Sequence, residues 1–224
     1  MTVDFQELRV KMVDGQLRTT DVTNVDILTA MLALPREDFV PHNRRELAYI
    51  DEDILVAPAQ DGRGSRYLME PSPFARLVQL ADIRRTDHVL DVACGTGYSS
   101  AVLSRVAGSV VGLESHPELV ETATRKLADG GFTNVEVVEG VLVEGCPSRA
   151  PYDVILINGA VEEVPEVLFE QLKDGGRLVS VVGHGNAARA MFHIKEGGLV
   201  SARRAFNAAV MPLEEFRRAP AFEF

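Results

Sequence analysis

A buried apolar strand that runs into a glycine turn constrains this chain more than any other stretch. Residues 87–98 read DHVLDVACGTGY, so the apolar run stops at Gly95 and Gly97. A second short apolar run follows and ends on Glu114. A carboxylate about 20 positions beyond a glycine-rich turn commonly holds the ribose hydroxyls of a nucleotide. The spacing therefore predicts a nucleoside-binding site, with a helix that begins at about Tyr98.

Strand and helix patterns alternate along the chain on either side of this stretch. The predicted strands are 54–56, 88–92, 109–113, 134–138, 153–157, 176–182, 191–195, 199–202 and 206–211. The predicted helices are 4–20, 24–34, 74–83, 98–107, 117–129 and 165–172. Residues 58–66 form a polar, glycine-rich loop of a kind that often contacts ligands.

This alternation predicts an α/β fold with a doubly wound, Rossmann-like sheet. Continuous apolar runs such as residues 154–157 are typical of parallel strands covered on both faces. The glycine pair at 197–198 favours a hairpin, so we expect an antiparallel edge to the mostly parallel sheet. We expect one domain over residues 1–224, with 1–75 as an N-terminal helical cap and lid and 76–224 as the cofactor-binding sheet.

Charge and composition narrow the possible partners. The formal net charge of −10 argues against nucleic acid, which needs a basic surface. No apolar run approaches the ~18 residues that cross a bilayer, and the first residues lack the apolar segment of a signal peptide. We therefore expect a cytoplasmic protein that does not bind membranes. Two cysteines and five scattered histidines give no metal-ligand spacing, so we predict no metal site.

The identity of the nucleoside depends on the third glycine of the dinucleotide fingerprint. Ser100 stands at that place, which disfavours a nicotinamide or flavin cofactor, and no P-loop motif is present. The remaining pattern of Asp91, Gly95, Gly97 and Glu114 resembles the S-adenosylmethionine loop of class I methyltransferases. That cofactor has a cationic amine and a sulfonium, which suit the carboxylate of Asp91. The predicted cofactor-binding residues are Asp91, Ala93, Cys94, Gly95, Thr96, Gly97, Tyr98, Glu114, Ser115, Gly140 and Val141.

Several stretches together resemble one family, the protein-L-isoaspartate O-methyltransferases. They are residues 12–17 (MVDGQL), 30–41 (AMLALPREDFVP), 48–51 (AYID), 89–98 (VLDVACGTGY), 150–155 (APYDVI), 164–165 (VP), 171–179 (QLKDGGRLV) and 206–213 (FNAAVMPL). The resemblance extends over nearly the whole chain. It implies S-adenosylmethionine as methyl donor and an isoaspartyl carboxylate of a damaged protein or peptide as acceptor, in a protein-repair role.

The chain departs from this family at two positions of the site. Met69 stands where the family has a serine, and Val141 stands where it has an aspartate near the adenine. We therefore keep two alternatives open. The first is a divergent, non-catalytic protein that binds S-adenosylmethionine and has a regulatory role. The second is a methyltransferase with a different acceptor.

A carboxylate acceptor needs no general base, because its unperturbed pKa of about 4 leaves it ionised at neutral pH. The absence of a Ser–His–Asp or Cys–His pattern therefore agrees with methyl transfer to a carboxylate. No catalytic residue is assigned; the candidates around the acceptor are Arg63, Arg66, Tyr67, Met69 and Ser72. The sequence motifs of enzymes that methylate nucleic-acid bases are missing, and no carboxylate pair suggests a metal-dependent transfer.

Overall fold

A seven-stranded sheet forms the centre of the protein, in a computed structural model that describes residues 3–217. Its strands are β3 (His88–Val92), β4 (Ser109–Glu114), β5 (Val135–Glu139), β6 (Tyr152–Val161), β7 (Leu172–Val182), β8 (Arg189–Glu196) and β9 (Leu199–Asn207). Their order is β5-β4-β3-β6-β7-β8-β9. The first five run parallel, and β8 and β9 pair antiparallel. This confirms the predicted doubly wound sheet and its antiparallel edge.

A small antiparallel sheet precedes the large one and joins β1 (Ile54–Ala57) to β2 (Arg66–Leu68). The helices are α1 (Phe5–Met12), α2 (Val25–Ala33), α3 (Pro71–Leu80), α4 (Tyr98–Ser104), α5 (Pro117–Asp129) and α6 (Glu166–Glu170). A π-helical turn (Val13–Leu17) follows α1. The 3₁₀ turns are Arg18–Thr20, Arg36–Phe39, His42–Leu47, Leu142–Glu144, Pro147–Arg149, Gly185–Ala187 and Glu214–Phe216.

Local chemistry explains where these helices begin. The Asn24 side chain accepts hydrogen bonds from the backbone N–H groups of Asp26 and Ile27, which caps α2. Proline occupies the first position of both α3 and α5, where its missing N–H costs nothing. Pro71 also explains why α3 begins three residues before the predicted start at residue 74.

The N-terminal helices pack into the same apolar core as one face of the sheet. Met12 and Met31 from this segment join Leu77 of α3 and Leu103 of α4 in one buried cluster. A second cluster covers the opposite face and includes Ile155 of β6. Among residues 3–217, no helix has both the length and the apolarity to span a membrane.

The C-terminal part of the sheet differs from the sequence expectation. We predicted strands at 199–202 and 206–211, whereas a single strand extends over Leu199–Asn207. The intervening charged residues, Arg203 and Arg204, lie at the outer edge of the sheet and are exposed, so they do not interrupt the pairing. Residues 208–213 instead turn back toward β6, where Pro212 forms an isolated parallel bridge with Ala160.

Candidate active site

The site lies where the carboxyl ends of β3, β4 and β6 meet. β3 pairs with β4 on one side and with β6 on the other, so the chain reverses its winding direction here. Ligands of doubly wound sheets bind in the crevice at such a point. The turn after β3 has three residues with positive φ, namely Ala93 (61°), Gly95 (57°) and Gly97 (94°). This conformation explains the glycines and brings bare backbone to the surface of the crevice.

Gly97 has a second role, in packing. A Cβ atom at this position would lie 3.2 Å from the Ala123 Cβ and 3.2 Å from the Leu127 Cδ1, both on α5. The bare backbone therefore lets α5 pack directly beneath the turn.

Asp91 forms the floor of the turn and is fully buried. The hydroxyl groups of Ser99 and Ser100 donate to its Oδ2 at 2.7 and 2.6 Å, and the Asn158 amide donates to its Oδ1. Burial raises the pKa of Asp91 to about 6, although these three hydrogen bonds oppose the shift. Ser100, which replaces the third glycine of the dinucleotide fingerprint, thus contributes to a carboxylate network.

Glu114 ends β4 and is also fully buried. Its Oε1 accepts hydrogen bonds from the N–H of Ser115 (2.7 Å), the N–H of His116 (3.1 Å) and Nε of Arg66 (3.0 Å). Within residues 3–217, its Oε2 accepts only from the N–H of Gly95, at 2.9 Å. Glu114 therefore ties the glycine turn to β4 and retains acceptor capacity on Oε2.

Arg66, which the sequence made a candidate around the acceptor, is not available to attract an acceptor carboxylate. It is 1% exposed, and it forms ion pairs with Glu114 and with Glu215 near the C-terminus. The physical reason is that β2 begins at Arg66 and directs its side chain inward. Although burial by itself has the opposite effect, the Arg66 guanidinium holds the pKa of Glu215 below its ordinary value. Arg63 is half-buried.

A narrow cavity of about 10 Å³ separates the glycine turn from the N-terminal segment, which is room for about one water molecule. Its walls include Tyr67, Met69, Tyr98, Asn158 and Arg36, together with residues 93–96 of the turn. Met69 is 5% exposed, so its side chain is packed into this wall.

Arg36 and Tyr98 contribute the unsatisfied polar atoms of this cavity. Both side chains are fully buried, and the guanidinium of Arg36 lies over the Tyr98 ring, 4.9 Å from its centroid. Nε and Nη2 of Arg36 donate to the carbonyls of Ala48 (2.6 Å) and Met69 (2.7 Å). Among residues 3–217, neither its Nη1 nor the Tyr98 hydroxyl forms a hydrogen bond of standard geometry, although the two groups interact with each other. Burial lowers the pKa of Arg36 and raises that of Tyr98.

The structure brings most of the predicted cofactor residues together around this turn. Residues 91–98, Glu114 and Ser115 are contiguous through the hydrogen bonds above, and the N–H of Gly140 donates to the Glu114 carbonyl at 3.0 Å. The next residue, Val141, has a side chain that is 52% exposed to solvent. Ser72 does not line the cavity; its hydroxyl donates to Asp51 at 2.8 and 2.9 Å.

The sequence did not single out three residues that the structure places at the site: Arg36, Asn158 and Glu215. Arg36 gave no usable signal, because Glu37 and Asp38 follow it directly and the stretch reads as a polar turn. Asn158 directly follows the predicted strand at 153–157, at the edge where ligands bind. Glu215 had no such signal, since its contact with Arg66 spans 149 positions.

A larger, open cavity of about 630 Å³ lies elsewhere, and the cations Arg45, Arg105 and Lys126 are among its lining residues. It contains none of the predicted site residues. Its cations are engaged: Arg45 pairs with Asp38, Arg105 packs on an aromatic ring, and Lys126 donates to the Asp38 carbonyl. We therefore place the site at the glycine turn. Within the described chain, no group of three His, Cys, Asp or Glu side chains could hold a metal ion.

A mostly parallel sheet with a glycine turn after β3 and a carboxylate at the end of β4 is typical of Rossmann-like enzymes that bind a nucleoside cofactor, the class to which S-adenosylmethionine-dependent methyltransferases belong. The family model of protein-L-isoaspartate(D-aspartate) O-methyltransferase matches residues 9–217. The chain belongs to that family.

Relatives and solved structures agree with this assignment. The chain is 35% identical to the protein-L-isoaspartate O-methyltransferase of Koribacter versatilis, over 92% of this chain and 90% of the relative. It is 34% identical to the enzyme of the same name from Methanoculleus marisnigri, with the same coverage. A solved protein-L-isoaspartate O-methyltransferase has a TM-score of 0.77 at 29% identity, over 91% of this chain and 65% of that longer chain.

A second solved structure shares the fold at lower identity. It comes from Plasmodium falciparum, in complex with S-adenosyl-L-homocysteine. Its TM-score is 0.75 at 18% identity, over 96% of this chain and 100% of that chain.

Proposed function

We propose that this protein transfers a methyl group from S-adenosylmethionine to the side-chain carboxylate of isoaspartyl residues in damaged proteins or peptides. The observation that carries the proposal is the similarity, over nine-tenths of both chains, to relatives named protein-L-isoaspartate O-methyltransferase. The same proposal includes a role in protein repair and a cytoplasmic location.

The site residues fit this cofactor. When bound, S-adenosylmethionine supplies an electrophilic methyl group on sulfur. The bare backbone at Gly95 and Gly97 gives its methionyl part room, and Asp91 offers negative charge beneath a cationic amine. Oε2 of Glu114 accepts one hydrogen bond here, so it can accept another from a ribose hydroxyl. Ser115 and Gly140 adjoin this carboxylate.

The protein contributes to methyl transfer by positioning the two reactants and by excluding water from them. The acceptor carboxylate is already ionised near neutral pH, so no side chain has to remove a proton. Aligned positioning of two reactants can supply roughly 7–11 kcal/mol of the barrier. We assign this role to residues 1–75 as cap and lid, because Tyr67 and Met69 from this segment face the glycine turn across the narrow cavity.

A second candidate function follows from Met69. A buried methionine offers no hydroxyl to an acceptor, and the exposed Val141 offers no carboxylate to an adenine. Both features favour a protein that binds S-adenosylmethionine without methylating isoaspartate. Such a protein would have a regulatory role or a different acceptor.

Two measurements separate these candidates. Calorimetry with S-adenosylmethionine tests cofactor binding. Release of base-labile methyl groups from an isoaspartyl peptide then tests transfer, with the matching aspartyl peptide as control. We expect binding, and transfer to the isoaspartyl peptide alone. Binding without transfer supports the non-catalytic candidate, transfer to another acceptor revises the substrate, and absence of binding overturns both candidates.

A further inference from the structure

The carboxylate of Asp53 connects two segments that are far apart in the sequence. Its Oδ1 accepts a hydrogen bond from the N–H of Glu70 at 2.9 Å, and its Oδ2 accepts one from the N–H of Met211 at 2.8 Å. These contacts span 17 and 158 positions of the chain. Both donors are backbone groups, so the side chain of Asp53 fixes the distance between the two backbones.

The first of these segments is a wall of the candidate site. Glu70 directly follows Met69, which lines the narrow cavity beside the glycine turn. The carbonyl of Met69 accepts a hydrogen bond from Nη2 of Arg36 at 2.7 Å. This carbonyl and the N–H of Glu70 belong to one peptide group, so Arg36 and Asp53 hold that group from its two ends.

The charges of Arg36 and Asp53 suit the peptide group between them. The carbonyl points toward the buried guanidinium and the N–H points toward the carboxylate, and hydrogen bonds to charged groups are the stronger kind. Burial raises the pKa of Asp53, and the two backbone donors together with the charge of Arg36 oppose the rise. The orientation of the wall beside Met69 therefore depends on both side chains.

The second segment is a strap, residues 208–215, which crosses the carboxyl edge of the sheet. The carbonyl of Met211 accepts a hydrogen bond from the N–H of Ala160 on β6, at 3.0 Å. Farther along, Oε1 of Glu215 accepts one from the hydroxyl of Ser115, directly after β4, at 3.4 Å. Since β3 lies between β6 and β4, the strap passes the end of β3, where the glycine turn begins.

From these contacts we infer that Asp53 is a positioning residue for methyl transfer, which holds the strap against the Met69 wall and so preorganises the approach of the acceptor peptide. The inference rests on the proposed function. A strap that must be ordered when the peptide binds would cost affinity, whereas one that is already held does not. Glu70 and Met211 are not among the predicted cofactor-binding residues, so we expect cofactor affinity to be independent of Asp53.

Asp53→Ala tests the inference by separating two affinities. We expect KM for an isoaspartyl peptide to rise about tenfold and kcat to change by less than about twofold. The affinity for S-adenosylhomocysteine, measured by calorimetry, is expected to stay within about twofold. Glu52→Ala is the matched control, because it removes an exposed carboxylate from the neighbouring position, and we expect all three quantities to stay within about twofold there.

Hydrogen exchange measures the strap without the reaction. The amide of Met211 donates to Asp53, so Asp53→Ala is expected to speed exchange in a fragment that covers residues 208–215 by about tenfold or more. Exchange in a fragment from the buried strand β6 is expected to stay unchanged. Together these two fragments distinguish a loosened strap from a loosened protein.

The outcomes distinguish this inference from the proposed function. A higher KM together with faster exchange of the strap supports the inference. Faster exchange with an unchanged KM overturns it, as does a parallel loss of peptide and cofactor affinity, which indicates a general structural role. Unchanged exchange of the strap in Asp53→Ala contradicts the inference by itself. A wild-type protein that methylates no isoaspartyl peptide contradicts the proposed function, and the role of Asp53 in methyl transfer with it.

A second variant applies if Asp53→Ala does not fold. Asp53→Asn retains the size of the side chain and one acceptor oxygen, but its NH₂ group cannot accept a hydrogen bond from a backbone N–H. One of the two connections is therefore lost, and we expect KM for the isoaspartyl peptide to rise about threefold. An unchanged KM in Asp53→Asn, with exchange of the strap as in the wild type, counts against the inference.

Discussion

Nε of Arg66 lies 3.0 Å from Oε1 of Glu114, and both side chains are almost completely buried. This pair connects the start of β2 to the end of β4. Nη2 of Arg66 continues the connection to Glu215, at 2.5 Å. The carboxylate predicted to hold a ribose is therefore fixed by two segments distant in sequence, and its geometry depends on both.

Replacement of Arg66 by methionine is expected to destabilise the protein by roughly 3–5 kcal/mol, because it leaves the buried Glu114 charge without its partner. Chemical denaturation measures this change in the free energy of unfolding. Arg63→Met is the matched control from the same loop, and we expect a change within about 0.5 kcal/mol there. Equal effects of the two substitutions would show that the Arg66–Glu114 ion pair does not contribute to the free energy of unfolding.

Ser100→Ala is expected to destabilise the protein more at pH 7 than at pH 4. The pKa of Asp91 is raised to about 6, above its ordinary value. The folded state therefore retains a proton that the unfolded state has released, and the free energy of unfolding falls as pH rises from about 4 to 6. Loss of the Ser100 hydrogen bond raises the pKa of Asp91 further, so the free energy of unfolding of the variant keeps falling to a higher pH.

The size of the Ser100 effect follows from the charge of its acceptor. A hydrogen bond to a charged group contributes roughly 1.5–3 kcal/mol, and one to a neutral group about 1 kcal/mol. Urea denaturation at the two pH values provides the comparison. Ser104→Ala is the control, because the Ser104 hydroxyl donates to a neutral group, the carbonyl of Ala101. A loss for Ser100→Ala that does not vary with pH would contradict an Asp91 titration in this range.

Gly97→Ala tests the packing of α5 beneath the turn. The residue has a φ of 94°, and an added Cβ would lie 3.2 Å from Ala123 and Leu127. Strain and crowding together are expected to cost roughly 2–4 kcal/mol in unfolding free energy. Gly131 also has a positive φ, 70°, and no atom of residues 3–217 lies within 4 Å of an added Cβ. Gly131→Ala therefore isolates the backbone strain, about 1–2 kcal/mol. Equal losses would exclude a contribution from the α5 contact.

Features that depend on neighbouring residues could be predicted from the sequence, whereas contacts between residues far apart in the chain could not. The glycine turn at 95–97 and the parallel strands depend on local chemistry and periodicity, and the predicted fold and family are confirmed. The role of Arg66 depends on contacts with Glu114 and Glu215, 48 and 149 positions away, which no local pattern contains. The predicted strand at 206–211 was wrong because the apolar residues of this stretch cross toward β6 instead of joining the edge.

Met69→Ser is expected to increase the rate of methyl transfer to an isoaspartyl peptide. The side chain lines the cavity beside the glycine turn, so a hydroxyl there can donate to an oxygen of the acceptor carboxylate. A hydrogen bond of about 1 kcal/mol corresponds to roughly a fivefold gain in kcat/KM. The substitution also removes a buried side chain and costs up to about 2–5 kcal/mol of stability, so the rate must be measured where the variant is fully folded.

Met69→Ala tests whether a gain in rate comes from the added hydroxyl or from the smaller side chain. Both variants create the same opening in the wall of the cavity, but only serine adds a donor. A gain confined to Met69→Ser means that the isoaspartyl carboxylate is the acceptor and that Met69 limits its methylation. An equal gain in both variants attributes the effect to space alone. If neither variant transfers methyl groups faster than the wild type, the acceptor is another group or the protein binds its cofactor without catalysis.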